Sequence, residues 1–499
     1  MKVSWRRRRK RQNKERGMTR EVDVCIIGAG SAGLYATGQV ARITRNFVII
    51  DPGPLGTTCA RVGCMPSKVL IQAADDLWHA RHHFAVQGIH GGEDVRADVR
   101  AVLAHVRKMR DGFASGPAGK AQKLADAGKL ISAPARFVAP DAVEAGGETI
   151  RAKAFVIAAG SRPIVPQAWL DTFGPDKLLT TDTLFEQEDL PRRMAVLGMG
   201  VIGLEMGQAL SRLGIEIVGV DMKETIGGLT DDGVAYSALS LFREEFPIWL
   251  GAPAELEPAE NGAIRVKAGD NEAVVDKVLV ALGRRPNLDR LNLEATGIAL
   301  DERGLPDFDR QTMRIGDTAI FIAGDANGER QILHEAADEG RIAGYNAATL
   351  AKGGEVRRFR RKVPLAIVFT DPNIAMVGET FAALDARLVE DEGFVVGERD
   401  FSTQARARVM KANRGILHIY AGTEDGRLLG AEMCIPRGEH IAHELAWAME
   451  RQATIADLIA MPFYHPVIEE GLQNALHDAY GQLPDSVKVP GIPDVPFAE

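Results

Sequence analysis

Val24-Cys25-Ile26-Ile27-Gly28-Ala29-Gly30-Ser31-Ala32-Gly33 joins an apolar run to a spaced set of glycines, and the next apolar run, Phe47-Val48-Ile49-Ile50, closes on Asp51. The same layout returns far along the chain. Ala195-Val196-Leu197 leads into Gly198-Met199-Gly200-Val201-Ile202-Gly203, and Ile215 to Val220 closes on Asp221. In both copies the acid stands twenty-three residues after the first glycine. The first glycine permits a tight strand-to-helix turn, the second lets a pyrophosphate approach the backbone, and the third lets helix pack on strand. The phosphates then rest on the helix N-terminus, and the acid accepts hydrogen bonds from a ribose hydroxyl. One such pattern is a weak signal, but two with matched strands and acids predict two dinucleotide sites.

Working outward, residues 95 to 127 carry Val95, Val99, Val102, Leu103, Val106 and Met109 at helical spacing, which predicts a helix with these as its core face. Residues 130 to 158 read as short strands with turns and end at Gly160-Ser161-Arg162-Pro163. A similar ending, Gly283-Arg284-Arg285-Pro286-Asn287, follows the apolar run from Val278, so each unit closes on a chain crossover. From Val363 the texture becomes antiparallel α+β, with strands at Ile416 to Tyr420 and Leu428 to Met433 and a helix over 438–451. The expected fold class is α/β, with two Rossmann-type dinucleotide-binding domains and a C-terminal α+β domain. The expected boundaries are a discontinuous first domain at 18–160 and 285–360, a second at 161–284, a third at 361–480, and an extended tail at 481–499.

The 499 residues hold 60 basic and 68 acidic side chains, but nine of the basic ones crowd into residues 1–17 beside one acid. From Met18 onward 51 basic face 67 acidic residues, a body of −16 that repels nucleic-acid phosphates and anionic headgroups. Like-charge blocks are usually solvated tails, and no apolar h-region follows Arg6 to Arg11. Residues 1–17 are therefore expected to be a disordered leader or a product of start-site choice. No run approaches the ~18 apolar residues of a membrane span, and the expectation is a soluble, cytoplasmic protein without nucleic-acid or membrane partners.

Four cysteines, Cys25, Cys59, Cys64 and Cys434, are too few for a disulfide scaffold in a chain this long. Cys59 and Cys64 lie close together, and a helical pattern begins at the second of them. Helix-end amides and the nearby Lys68 favour thiolate, the form that attacks and leaves in disulfide exchange. A zinc site would want four ligands, and no further Cys or clustered His lies near, so no metal is expected.

Gly56-Thr57-Thr58-Cys59-Ala60-Arg61-Val62-Gly63-Cys64-Met65-Pro66-Ser67-Lys68 resembles the disulfide motif of the FAD-dependent pyridine nucleotide-disulfide oxidoreductases, and within them the dihydrolipoyl dehydrogenases most closely. The likeness spans residues 18 to about 480. It implies FAD and NAD as cofactors and a redox-active disulfide. Cys59 would be the interchange thiol that meets substrate, Cys64 the flavin-side thiol, and Lys68 the cation near the flavin edge, paired with Glu205. Gly28, Gly30, Ser31, Gly33, Asp51, Thr57, Thr58, Lys68 and Gly160 would serve FAD. So would Asp325 in Thr318-Ala319-Ile320-Phe321-Ile322-Ala323-Gly324-Asp325 and Leu333, which stands where the family usually has a smaller residue. Gly198, Gly200, Gly203, Glu205, Asp221 and Gly283 would serve the nicotinamide dinucleotide. Phe463-Tyr464-His465-Pro466-Val467-Ile468-Glu469-Glu470 resembles the family's His-Pro motif. His465 would take the proton of an incoming dithiol, oriented by Glu470. In the family this histidine reaches the other subunit's disulfide, which implies a homodimer. Phe463 departs from the second histidine often found there.

The resemblance therefore implies oxidation of protein-bound dihydrolipoyl groups with reduction of NAD⁺, the lipoyl group arriving on a partner protein. A small disulfide substrate, as in a glutathione reductase-like enzyme, is the near alternative; Asp221 opposes it, because a carboxylate repels the 2′-phosphate of NADP. An NADH diaphorase or quinone reductase, with the disulfide incidental, is a second. A flavoprotein tethered to nucleic acid by residues 1–17 is a third, disfavoured by the acidic body.

Overall fold

The computed structural model describes residues 18–387 and 393–495. The basic leader at 1–17 lies outside them. Among the described residues no helix is long and apolar enough to cross a membrane, and no three His, Cys, Asp or Glu side chains cluster as metal ligands would. The chain divides into two compact units. One comprises residues up to Pro66, Lys108–Pro163 and Arg284–Arg361; the other comprises Ser67–Arg107, Ile164–Gly283 and residues from Lys362 onward.

The first unit is built on a sheet ordered Leu130–Ile131, Phe47–Ile50, Met18–Ile27, Glu148–Ile157, Ala142–Ala145 and Arg136–Ala139. Ile320–Ile322 adds to the late part of Glu148–Ile157 in parallel. Val24, Cys25 and Ile26 are fully buried, as a parallel strand covered on both faces requires. Two helices, Ser31–Ile43 and Leu333–Ala351, pack closely because glycines line the seam. A Cβ on Gly340 would stand 2.3 Å from the Ala32 carbonyl oxygen, and one on Gly344 2.5 Å from that of Ala36. The crossover segments Ser161–Pro163 and Arg284–Pro286 pair as a short antiparallel ribbon.

The second unit repeats the parallel design with Ile248–Trp249, Glu216–Val220, Arg193–Leu197, Lys277–Val280 and Leu178–Leu179 in that order. It also holds an antiparallel sheet ordered Leu365–Val368, Asn373–Gly378, Leu428–Ile435, Ile416–Gly422 and Phe394–Asp400. The helices Gly438–Glu450 and Glu470–Gln482 cover that sheet's apolar side chains, with Leu445, Leu472 and Leu476 in the shared core.

The expected helix over 95–127 starts later, at Val99, and runs to Asp126. Asp98 sets the start, its carboxylate accepting the Ala101 N–H. Leu103 and Val106 are fully buried as expected, but Val95 and Met109 are 41% and 38% exposed, so the core face is narrower than the periodicity suggested. Residues 481–495 are also less extended than expected, with helix continuing to Gln482 and a further short turn at Asp485–Val487, and 496–499 lie outside the described residues.

Candidate active site

The two glycine fingerprints fold alike, atom for atom. Gly28 N donates to the Ile50 carbonyl and Gly198 N to that of Val220, both at 2.7 Å. Ala158 N meets Ile27 O and Ala281 N meets Leu197 O, again both at 2.7 Å. Gly28 and Gly198 take φ of 107° and 96°, which only glycine adopts without strain, and a Cβ on either would strike the next strand's carbonyl at 2.1 or 2.4 Å. A Cβ on Gly33 or Gly203 would lie 1.8 or 1.7 Å from the carbonyl oxygen of Gly28 or Gly198. The middle glycines, Gly30 and Gly200, face open space within 4 Å. Each is the N-cap of a long helix, Ser31–Ile43 or Val201–Arg212, with no side-chain hydrogen bond at the cap. Helix-end N–H groups beside open space are what a pyrophosphate needs, so both cradles fit a dinucleotide.

The closing acids also match. Asp51 accepts from Ala29 N at 2.5 Å and from Gly53 N at 2.7 Å. Asp221 accepts from Met199 N at 2.6 Å and from Lys223 N at 2.9 Å. Each carboxylate is thereby fixed against its own glycine turn. Gly160 and Gly283, with φ of 69° and 103°, turn the chain out of each unit's last strand. Asp325 accepts from Ser161 Oγ at 2.7 Å, and Arg284 Nε donates to that same hydroxyl at 2.8 Å. Leu333 opens the Leu333–Ala351 helix with its side chain 43% exposed.

Cys59 lies in the short helix Thr58–Arg61, capped by Thr57, whose hydroxyl accepts the Ala60 N–H at 3.2 Å. Thr57 takes a φ of 63°, an uncommon conformation for a β-branched residue. Cys64 is the first residue of the helix Cys64–His83. Gly63 between them is closely packed, since a Cβ there would sit 3.2 Å from Thr58 O and 3.3 Å from the Cys59 Cα. Cys59 is half-buried and Cys64 exposed.

Lys68, further along that helix, donates to both carboxylate oxygens of Glu205 at 2.9 and 2.8 Å. Glu205 is 4% exposed and also accepts the Phe369 N–H at 2.9 Å. The Lys68 ammonium stands 4.5 Å from the centroid of the Phe369 ring. His465 Nδ1 is 2.8 Å from Glu470 Oε1, and Val467 N donates to the other oxygen at 3.1 Å. The hydrogen bond from His465, then that from Val467, holds the Glu470 carboxyl below the usual carboxylate range. Nδ1 is engaged by Glu470, and the His465 side chain is 75% exposed.

Sequence reading thus anticipated both fingerprints, the Lys68–Glu205 pair and the His465–Glu470 pair. It missed Ser161, Arg284 and Phe369. The first two stand inside the repeated Gly-x-Arg-Pro crossovers, and that repetition was the available signal; Phe369 has none, because it meets Glu205 and Lys68 through its backbone N–H and ring.

Residues 22–340 match the family model described as pyridine nucleotide-disulphide oxidoreductase, and residues 364–476 match its dimerisation domain. Dihydrolipoyl dehydrogenase from Thermus scotoductus is 30% identical over 481 residues, covering 92% of this chain and 98% of that protein. Dihydrolipoyl dehydrogenase from Haloferax volcanii is 31% identical over 478 residues, covering 92% and 96%. Among solved structures, LpdA from Mycobacterium tuberculosis superposes with a TM-score of 0.77 at 23% identity, covering 91% of this chain and 99% of that one. The HOCl-induced flavoprotein disulfide reductase RclA from Escherichia coli gives 0.75 at 22% identity, covering 93% and 100%. These two likenesses bear on the fold, and the dimerisation match supports a homodimer. With its two dinucleotide cradles and cysteine motif, the chain belongs to the pyridine nucleotide-disulphide oxidoreductases, oxidoreductases that use FAD and NAD(P).

Proposed function

We propose that the protein oxidises protein-bound dihydrolipoyl groups to lipoyl and reduces NAD⁺, with Cys59 and Cys64 as the redox-active pair. The observation that carries this reading is the His465–Glu470 pair, an exposed imidazole held by a carboxylate at 2.8 Å. It is joined by near full-length likeness to proteins named dihydrolipoyl dehydrogenase.

In this reading His465 of the partner subunit takes a proton from one thiol of the dithiol through Nε2, and Glu470 stabilises the imidazolium. The resulting thiolate attacks Cys59 Sγ of the oxidised pair; the Cys59–Cys64 bond breaks and Cys64 leaves as thiolate. The second substrate thiol then attacks the substrate sulfur of the mixed disulfide, which closes the lipoyl ring and releases Cys59. Two electrons now rest on the cysteine pair. FAD, when bound, supplies the two-electron relay between that pair and the nicotinamide. Gly28, Gly30, Ser31, Gly33, Thr57, Thr58 and Gly160 would shape its cradle, Asp51 its ribose contact, and Asp325, Leu333 and Lys68 its flavin side. Gly198, Gly200, Gly203 and Gly283 would hold the nicotinamide dinucleotide, and Asp221 would favour NAD over NADP by repelling a 2′-phosphate. The exposed Trp447, Met461 and Tyr464 side chains, at 68%, 54% and 80%, suit a face covered by a second copy.

Replacing Cys59 by Ser tests the reading. The variant should lose dihydrolipoamide oxidation and keep NADH-driven dye reduction. Dithiol turnover that survives in Cys59→Ser would contradict it.

A further inference from the structure

The helix Val201–Arg212 is apolar on most of its surface, yet Glu205, Gln208 and Arg212 are only 4%, 3% and 3% exposed. Spacings of three and four place them on one face, as a single buried polar stripe. Such a stripe is costly unless every group is bonded. Here the bonds all run to the same few segments. Glu205 holds Lys68 and the Phe369 N–H. Gln208 donates to Asp371 O at 2.8 Å and to Glu245 Oε1 at 2.9 Å, and accepts Asp371 N–H at 2.9 Å.

Arg212 uses its whole fork. Its terminal nitrogens reach Asp75 Oδ1 at 2.7 Å, Asp371 Oδ2 at 3.1 Å, Asp371 O at 3.0 Å and Glu245 Oε1 at 2.7 Å, while Nε donates to Glu245 Oε2 at 2.7 Å. Its guanidinium carbon stands 4.7 Å from the centroid of the Trp78 ring. Lys68, Asp75 and Trp78 share one helix, and Phe369 and Asp371 share one loop. The stripe therefore works as a three-rung clamp. Its first rung is the Lys68–Glu205 pair; the other two fix the helix that carries Lys68 and the loop that supports both Lys68 and Glu205.

We propose that Gln208 and Arg212 are positioning residues for Lys68, holding its ammonium at one place against Glu205 and the Phe369 ring. A lysine has a flexible four-carbon stem and three rotatable donors, so without the clamp it can settle elsewhere. Gln208 acts by fixing both backbone polar groups of Asp371, two residues beyond the Phe369 N–H that orients Glu205. This inference rests on the reading of Lys68 as the cation beside the flavin.

The test is the two-electron midpoint potential of the bound flavin in the holoenzyme, measured for Lys68→Met, Gln208→Met and the double variant, with urea midpoints recorded alongside. Lys68→Met should make the potential more negative, because a nearby cation favours the reduced, anionic flavin. Gln208→Met should move it part of the way in the same direction, and the double variant should match Lys68→Met alone, since the effect passes through Lys68. An unmoved potential in Gln208→Met, or an equal extra shift in the Lys68→Met background, overturns the inference while leaving the role of Lys68 standing. An unmoved potential in Lys68→Met overturns both. Arg212→Lys, which keeps the charge and loses the fork, carries the same test should Gln208→Met not fold.

Discussion

Nδ1 of His465 lies 2.8 Å from Oε1 of Glu470, and the carboxylate's other oxygen is occupied by the Val467 N–H. The imidazole is thus fixed through Nδ1, and the proposed reaction would use the other nitrogen as its base. His465→Gln should lower dithiol oxidation by ~10²–10⁴-fold, the usual contribution of a general base, and leave NADH-driven dye reduction intact. Glu470→Gln keeps an acceptor but removes the charge, so a smaller loss is expected. Steady-state kinetics of both half-reactions check this, and equal losses in the two would argue against the assignment.

The two fingerprints can be separated by one methyl each. In Gly33→Ala the new Cβ meets the Gly28 carbonyl at 1.8 Å, and in Gly203→Ala it meets that of Gly198 at 1.7 Å. The first variant should purify with little flavin. The second should keep its flavin and its reaction with dithiol but lose rapid reduction by NADH. Flavin absorbance per chain and stopped-flow reduction read the two effects; flavin loss in Gly203→Ala alone would reverse the assignment of the cradles.

Arg212 has a fully buried side chain that meets Asp75, Glu245 and Asp371 together. Burial alone would raise the Asp371 carboxyl, but the His79 hydrogen bond and the Arg212 and Arg414 charges hold it well below the usual range. Removing one partner of a buried charge network costs about 3–5 kcal/mol. Arg212→Met should therefore lower the urea midpoint strongly. A cost below ~1 kcal/mol would place these acids in water rather than in the core.

His418 stands between Asp231 Oδ2 at 2.8 Å and Glu398 Oε2 at 3.2 Å. Burial lowers its pKa, but the two carboxylates outweigh burial and the net shift is upward. A histidine raised on folding contributes stability that is fully present below about pH 6.5, the unfolded value, and is lost as pH rises through the folded value. The stability difference between the protein and His418→Asn should accordingly be largest on the acid side and shrink on raising the pH. Urea midpoints across that range check it, and a difference that grows with pH would give the opposite sign.

What could be read in advance was what is local or repeated. Gly28 to Asp51 and Gly198 to Asp221 follow a spacing that the backbone geometry itself imposes, so the sequence and the hydrogen bonds repeat together. Cys59 and Cys64, and likewise His465 and Glu470, sit in compact motifs, but the chemistry expected of His465 and Glu470 came from the family resemblance and not from the adjacent residues alone. Gln208 and Arg212 were not legible, because their partners Asp371 and Asp75 lie 163 and 137 residues away and only the fold brings them together. Even so, three polar residues at helical spacing in a mostly apolar helix are themselves the mark of a buried polar stripe. Val95 and Met109 erred the other way, since periodicity does not say where a cap such as Asp98 begins the helix or how wide a face it buries.

The most direct test of the proposed function is NADH formation by the purified holoenzyme supplied with dihydrolipoamide and NAD⁺, followed by absorbance, with NADP⁺ in a parallel cuvette. Rapid NADH formation with NAD⁺ and slow formation with NADP⁺ is the predicted result. Flavin that NADH bleaches but dihydrolipoamide does not reduce would leave the fold and cofactors in place and contradict the lipoyl assignment.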